Sequence, residues 1–334
     1  MSGSDSDPAA VRGYDPGRWG YSMANFAELM LPVIEASGAR SVAEVGAYGG
    51  DLTEVLVEWA EPRGVAVTAI DPLPQPALED LAARRPELDL IRLTSAEALA
   101  AMELADAFVI DGDHNYHTVS EELATIADRK GGAEMPLLLF HDVCWPHGRR
   151  DSYYAPERVP EEYQESIVAD TTIFPGEPGT GGGGLPYPWA AAREGGPRNG
   201  VLTAIEDFAA GRPGVRVAAM PMFFGFGVAW HEDAPWAGAV AELVEPWDRN
   251  PILTRLEANR AFHLANQIRT QVKLEETELV LGNRIERLEA VLRGIQSSRA
   301  FQAVSRITAL RADGPSWSEQ IDLALSKDDP QVER

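Results

Sequence analysis

Residues 41–51, SVAEVGAYGGD, constrain the fold more than any other stretch, because a strand, a glycine-rich turn and a helix start follow one another directly. Val42, Ala43 and Val45 form a short apolar run of the kind that a parallel strand buries on both faces. The turn is permitted by three glycines, Gly46, Gly49 and Gly50. Apolar residues then recur at helical spacing, at Leu52, Val55, Leu56 and Trp59. The stretch predicts the first strand–turn–helix unit of an α/β fold.

This turn is suited to a ligand. Free N–H groups at the helix start favour a carboxylate or phosphate, and Glu44 at the strand end can accept from an amine or a hydroxyl. The candidate contacts around the turn are Glu44, Gly46, Tyr48, Gly49 and Gly50. The dinucleotide fingerprint G-x-G-x-x-G is not met, because Gly46 is followed by Ala47-Tyr48-Gly49. A tight turn without a ligand is the alternative.

Composition limits the function classes. The chain has 334 residues, and its 29 basic against 52 acidic residues give a net charge of −23. This acidity argues against a nucleic-acid partner, because phosphate contacts need clustered Lys and Arg. A single cysteine, Cys144, excludes an intrachain disulfide and a cysteine-rich zinc site. No run of 18 apolar residues and no signal peptide are present, so we expect a cytoplasmic protein without a membrane partner.

Strands and helices alternate along the first half of the chain. Apolar strands are expected at 41–46, 65–70, 88–93, 105–110 and 135–140, with helices between them. This order predicts a doubly wound parallel sheet. Asp71 follows the second strand, about 20 residues after the glycine turn, where such folds hold a ribose hydroxyl pair. Ser95 and Ala96 follow the third strand, where backbone groups can meet an adenine edge.

The regular alternation breaks at residue 144. Residues 144–199 are rich in Pro, Gly, Tyr and Trp and appear irregular throughout. A stretch of this length inside a domain is usually functional or disordered, and we expect it to cover the substrate. Its candidate substrate contacts are Trp145, Tyr153, Tyr154 and Trp189. The alternative is a loop whose aromatic residues only anchor it.

The remainder completes a sheet and then becomes helical. A helix at 200–210 and two strands at 215–220 and 223–230 predict an antiparallel final pair in a Rossmann-like, seven-stranded sheet. We divide the chain into an N-terminal segment with a lid helix (1–40), a main domain (41–245), a helical extension (246–312) and a loose polar tail (313–334). The extension has a short heptad pattern, which we call the apolar seam: Leu281, Ile285, Leu288, Leu292 and Ile295. It predicts a long, partly coiled-coil helix for self-association, or one that folds back on the domain.

Two acid–histidine groups follow adjacent strands, DGDH at 111–114 and HD at 141–142. In a parallel sheet these strand ends lie side by side, near the glycine turn. Asp111 and Asp142 are therefore expected to hold a divalent cation such as Mg²⁺. His141 is a less usual Mg²⁺ ligand and favours Mn²⁺ or Fe²⁺, or a position behind the ligands. The alternative is a turn with a helix cap.

The segments VIDGDHNYHTVSEEL and LLLFHDV, with the E-x-G-x-x-G-G form at 44–50, resemble class I S-adenosylmethionine (SAM) methyltransferases. The resemblance covers about residues 20–230. Within that class it is similar to the metal-dependent macrocin and sugar O-methyltransferases and the cephalosporin hydroxylase-like group. The resemblance implies that SAM is the methyl donor and that Asp111 is one of the residues that contact it. It also implies a divalent metal at the sheet edge. Asp111 and Asp142 would be metal ligands, with His141 where relatives have Asp or Glu.

The resemblance also implies a base in the DGDH segment. His114 is favoured because an imidazole titrates near neutral pH, with Asp113 as the second choice. The expected reaction is methyl transfer to a hydroxyl of a sugar or a glycosylated natural product. A polysaccharide or catechol acceptor, an NAD-binding oxidoreductase and a non-catalytic scaffold are the alternatives.

Overall fold

The computed structural model describes residues 20–309 and 315–325. The chain divides into two compact units, which meet in sequence between Ile268 and Arg269. Each unit is described by itself below. The predicted N-terminal segment lies outside the described residues as far as residue 19, and the predicted tail is described only at 315–325.

Within residues 20–268, the first unit contains nine strands: β1 Ser41–Val45, β2 Ala66–Ile70, β3 Leu88–Ile91, β4 Ala107–Ile110, β5 Leu137–Phe140, β6 Ile167–Ile173, β7 Leu185–Ala191, β8 Val215–Met220 and β9 Phe226–His231. Its complete α-helices are α1 Ala27–Ser37, α2 Asp51–Ala60, α3 Pro76–Arg84, α4 Ser95–Ala101, α5 Tyr116–Arg129, α6 Val201–Ala210 and α7 Ala237–Val244. A 3-10 turn at Met23–Phe26 precedes α1. A longer helix, α8, begins at Pro251.

Seven strands form one sheet in the order β3-β2-β1-β4-β5-β9-β8. The first five are parallel, and β9 runs antiparallel to both β5 and β8. This arrangement confirms the predicted fold class, a doubly wound, Rossmann-like sheet of seven strands with an antiparallel final pair. Val45 pairs with Ile110, and Ile110 pairs with Phe140. The segments that follow β1, β4 and β5 therefore emerge next to one another at one edge.

The sheet is covered by helices on both faces. Val42, Val109 and Leu139 face a layer that includes Met30 of α1 and Leu56 of α2. The neighbouring strand positions point the other way, into a layer built from α4, α5 and α6. Because successive strand residues alternate between faces, the all-apolar strands β4 and β5 are buried throughout.

Two elements differ from the sequence expectation. The stretch 144–199 is not irregular throughout, because β6 and β7 form an antiparallel hairpin within it. The last strand begins at Phe226 rather than at residue 223. Phe223 and Phe224 have φ values of 47° and 70°, so this backbone is left-handed and cannot extend the strand.

Helix α8, Pro251–Ser297, is 47 residues long. Its first turns belong to the first unit and bury Glu257, Ala261 and Ala265. That unit therefore extends past the predicted boundary at residue 245. The sequence does not indicate that these turns pack on the main domain, because the residues that they bury are few and mostly small.

The second unit contains the rest of α8, α9 at Arg299–Ala309 and α10 at Trp317–Leu325. The expectation of a loose tail is wrong for α10. Ser316 and Glu319 exchange hydrogen bonds at its start, as a capping box does, and Trp317 lies against Phe301. Among the residues that the structure describes, no helix has the length and apolar content to cross a membrane.

The glycine turn gives the first prediction. Gly46 has a φ of 85°, and a Cβ there would lie 2.1 Å from the Asp111 carbonyl oxygen. Gly46→Ala should therefore lower the free energy of unfolding by at least about 2 kcal/mol, measured by urea denaturation. Gly49→Ala is the matched control, because nothing lies within 4 Å of its Cβ position. Equal losses in both variants would contradict the close approach of the turn to β4.

Candidate active site

The turn after β1 is fixed to the end of β2 by Asp71. This buried carboxylate accepts hydrogen bonds from the Tyr48 and Leu73 N–H groups, both at 2.7 Å. A carboxylate has about four acceptor positions, so Asp71 keeps acceptor capacity for a hydroxyl pair. Gly50 precedes α2, and no side chain among the described residues caps that helix. Its first N–H groups are therefore suited to an anionic ligand group.

Glu44 lies near the carboxyl end of β1, where the sequence predicts an acceptor for an amine or a hydroxyl. Its carboxyl is buried against α2 and accepts a hydrogen bond of 2.6 Å from the Thr53 hydroxyl. Burial, together with the negative charges of Asp111, Asp71 and Asp51, raises the pKa of Glu44 to about 8. At neutral pH the group is mainly uncharged, and a nearby cation would favour its ionised form.

Ser95 and Ala96 form the first turn of α4, at the carboxyl end of β3. Thr94 and Glu97 close a capping box around this turn. The Asp71 N–H donates to the Ile91 carbonyl, so the ends of β2 and β3 are joined. The structure places both predicted residues on the Asp71 side of the sheet edge.

The two acid–histidine groups meet at the ends of β4 and β5. His141 Nδ1 lies 3.1 Å from Asp111 Oδ1 and 3.5 Å from Asp142 Oδ2. His114 Nε2 lies 3.0 Å from Asp142 Oδ2 and 3.4 Å from Asp111 Oδ1. Each imidazole therefore contacts both carboxylates. We call Asp111, His114, His141 and Asp142 the edge cluster.

In the edge cluster, burial and neighbouring charges act in opposite directions on the pKa values of the two imidazoles and of Asp111. Burial alone would lower the pKa of His141, but Asp142 and Asp111 outweigh it and raise the pKa to about 10. Burial is likewise outweighed at His114, whose pKa is raised by the same two carboxylates. Burial would raise the pKa of Asp111, but His141 and His114 lower it to about 2. The Asp111 carboxylate thus stays ionised beside positive charge.

The second nitrogen of His141 faces the protein. Nε2 lies 2.9 Å from the Phe223 carbonyl oxygen, which can only accept, so Nε2 carries a hydrogen. Metal-binding histidines usually donate their other N–H to a carbonyl or carboxylate in this way. His141 therefore directs Nδ1 at Asp111 and Asp142 with its ring orientation fixed.

The donor set fits a divalent cation. Two groups of three, Asp111–His141–Asp142 and His114–Asp142–His147, have ligand atoms within 4.8 Å of one another. They share Asp142, whose backbone has a φ of 57°. Carboxylate oxygens suit Mg²⁺, while added imidazole nitrogen favours Mn²⁺ or Fe²⁺.

His147 and Tyr187 belong to this site, although the sequence gave them no role of their own. The His147 ring lies 4.6 Å from the His114 ring, and His147 hydrogen-bonds to Tyr187 at 3.2 Å and to Ser152 at 3.3 Å. Burial lowers the pKa of His147 to about 3, so the imidazole is neutral. The only sequence signal was their position in the aromatic insertion, which carries no periodicity.

The four residues predicted to contact the substrate differ in their position relative to the edge cluster. The Tyr154 ring lies 5.8 Å from the His114 ring, so Tyr154 is at the site. Tyr153 is buried and donates to Asp151, which makes it a packing residue. Trp189 lies on β7, two residues from Tyr187, and is partly exposed. The Trp145 indole nitrogen is buried without a hydrogen-bond partner among the described residues.

Asp113 lies beside the edge cluster rather than in it. Its carboxylate accepts from the Thr118 hydroxyl and from the Tyr154 N–H, both at 3.3 Å. Burial raises the pKa of Asp113. These contacts support a role in holding the DGDH turn and favour His114 over Asp113 as the proton acceptor.

A scan against protein-family models finds no match, and a search of curated proteins finds none either. Solved structures give remote similarities. The O-methyltransferase TomG from Streptomyces achromogenes, involved in tomaymycin synthesis and solved with SAM, is 14% identical with a TM-score of 0.39, covering 62% of this chain and 80% of that one. The SAH-bound Podospora anserina methyltransferase PaMTH1 is 15% identical with a TM-score of 0.38, covering 62% and 78%.

Proposed function

We propose that this protein is a SAM-dependent O-methyltransferase that acts on a hydroxyl of a sugar or glycosylated natural product. One observation carries the proposal. The edge cluster of two carboxylates and two imidazoles, all buried or partly buried, lies at the same sheet edge as the start of α2, which no described side chain caps. Methyl transfer to a hydroxyl needs a cationic donor, a polarised acceptor and a base, and the residues at this edge can serve each need.

The turn after β1 would hold the donor. SAM, when bound, supplies a methyl group on a positively charged sulfur. The α2 N-terminus would bind its carboxylate, Asp71 its ribose hydroxyls, and the 95–96 turn would border the adenine. Ionised Glu44 would balance its positive charge.

Asp111, Asp142 and His141 would hold a divalent metal. When bound, such a cation acts as a Lewis acid and lowers the pKa of an acceptor hydroxyl near it. The three side chains offer two oxygens and one nitrogen that already converge, and His141 is fixed by the Phe223 carbonyl. We expect Mg²⁺ or Mn²⁺ to bind there.

His114 would take the proton of the acceptor hydroxyl. The acceptor oxygen would form a bond to the methyl carbon while the sulfur–carbon bond of SAM breaks. The proton of the acceptor hydroxyl would pass to the His114 imidazole. Asp142, 3.0 Å from His114 Nε2, stabilises the resulting positive ring. His147 and Tyr187 line the acceptor side together with Tyr154, and their rings and hydroxyls suit a sugar.

Calorimetric titration with SAM and SAH, before and after chelation and with added Mg²⁺ or Mn²⁺, tests this function. We expect micromolar SAM binding, followed by SAH release when glycoside acceptors and metal are supplied. A catechol or polysaccharide acceptor would keep the chemistry and change the substrate. Absence of SAM binding together with tight NADH binding would support an oxidoreductase, and binding of neither would support a scaffold.

Asp111→Asn and Asp142→Asn test the metal role. Each change removes one negative charge from the edge cluster, so we expect Mn²⁺ affinity to fall by at least about tenfold and turnover by at least about 100-fold. SAM affinity should stay within a few fold. Electron paramagnetic resonance of free Mn²⁺ and calorimetry measure the two affinities. Equal loss of SAM and Mn²⁺ binding would contradict a separate metal role.

The raised pKa of Glu44 leads us to expect that the affinity for SAM depends on pH. Its carboxyl has a pKa of about 8 in the free protein, and a bound cation would lower it. Below pH 8, SAM binding should therefore release a proton from this group, and affinity should rise as the pH rises toward 8. Calorimetry in buffers of different ionisation enthalpy measures the release. Glu44→Gln keeps an acceptor for Thr53 and should remove this contribution; an unchanged proton release would argue against it.

We propose that a second copy of this chain covers the apolar seam. The seam side chains Leu281, Ile285, Leu288 and Ile295 are exposed. With Ile285 and Leu292 at heptad a positions, Arg284 occupies position g and Glu289 position e. In a parallel pair, Arg284 would face Glu289 of the partner subunit, because g pairs with e of the next heptad. This charge match favours a parallel two-stranded arrangement.

Sedimentation of the full chain tests the pairing. Replacing Ile285 and Leu288 by Asn should convert the dimer to a monomer, whereas replacing the equally exposed Leu279 and Val280, which lie off the seam, should not. The Leu281→Cys variant should form a disulfide-linked dimer on oxidation if the two helices are parallel. A monomeric wild type would overturn the proposal, and absence of the disulfide would overturn the orientation.

A further inference from the structure

Glu257 connects the first part of α8 to the edge cluster. It is buried, at 6% exposure, although it lies on a largely polar helix. Its Oε2 accepts from the Phe223 N–H at 3.0 Å and its Oε1 from the Phe224 N–H at 2.8 Å. Arg260 donates to both oxygens, at 2.8 and 2.7 Å. One carboxylate thus binds two successive backbone amides and is neutralised by a cation.

The two amides belong to an unfavourable backbone. Phe223 and Phe224 both have positive φ values, a strained conformation that bulky residues rarely adopt. Such a conformation persists only where surrounding contacts fix it. Glu257 fixes it by hydrogen bonding, and the Arg260 guanidinium lies 4.3 Å from the Phe224 ring.

The carbonyl of Phe223 is the group that accepts from His141 Nε2 at 2.9 Å. Its position depends on the same backbone that Glu257 holds. Phe26 completes the enclosure, with its ring edge-on to both Phe223 and His141. A continuous series of contacts therefore leads from the Glu257 carboxylate through Phe223 to the imidazole whose Nδ1 faces Asp111 and Asp142.

We propose that Glu257 is a positioning residue for His141: it holds the Phe223 carbonyl where it fixes the His141 ring, and thereby prepares Nδ1 as a ligand atom. The ligand role of His141 rests on the proposed function, but the orientation of the ring does not. The first turns of the C-terminal helix are therefore part of the active-site architecture. Partners of metal-binding histidines typically change metal affinity by about 10- to 100-fold when removed.

The full-length Glu257→Gln variant tests this role, because a side-chain amide can accept from one backbone N–H but places its NH₂ toward the other. In metal-free ¹⁵N-labelled protein, the His141 Nε2–H signal should exchange with water more slowly in the wild type than in the variant. Mn²⁺ affinity should fall about tenfold, with SAM affinity within a few fold. Glu276→Gln, the same change at an exposed position of α8, should alter none of these.

Glu257→Asp provides a second variant that keeps the charge if Glu257→Gln fails to fold. It is one methylene too short to reach both amides and should shift the readouts in the same direction. Unchanged His141 N–H exchange in both variants would overturn the positioning role. A wild type that binds neither Mn²⁺ nor SAM would refute the proposed function, while the exchange comparison would still decide the role of Glu257.

Discussion

The structure of the site depends on two carboxylates, the partly buried Asp111 and the buried Asp142, which lie at the ends of neighbouring strands and share the same imidazoles. Two negative charges this close, with little access to water, are unfavourable unless positive charge lies between them. His141, whose pKa is raised to about 10, supplies that charge as an imidazolium group, and a divalent cation would supply it more compactly.

The surroundings hold this arrangement from three directions. The strand pairing of β1, β4 and β5 sets the edge on which the acids lie. The insertion adds Tyr154 and His147 from above that edge, and Asp151 fixes the insertion by accepting from the Tyr116 and Gly200 N–H groups at 2.8 and 2.6 Å. Helix α8 fixes His141 from behind through Glu257. Elements distant in sequence thus converge on four side chains.

The sheet and the edge cluster could be predicted because they follow from local patterns: apolar strands, a glycine turn, and acids placed where parallel strands end. His147 and Tyr187 could not be assigned, because no periodicity relates an irregular segment to the sheet that it covers. Glu257 could not be found either, since it is one of 52 acidic residues and its burial depends on a long-range contact. The helix at 317–325 was missed for a different reason: its S-x-x-E cap was present but was overlooked in a polar tail.

The acidic residues at this end of the sheet also affect how tightly the site would bind SAM compared with SAH. Glu44, Asp71 and Asp142 are buried acids on this side of the sheet, and Asp111 beside them is partly buried. In a site of low dielectric they stabilise a positively charged ligand more than a neutral one. Methyl transfer removes the positive charge from the sulfur of SAM, so the proposed reaction removes part of the attraction that held the donor. Glu44 would then regain its proton, and the same acids that favour SAM binding would favour release of SAH.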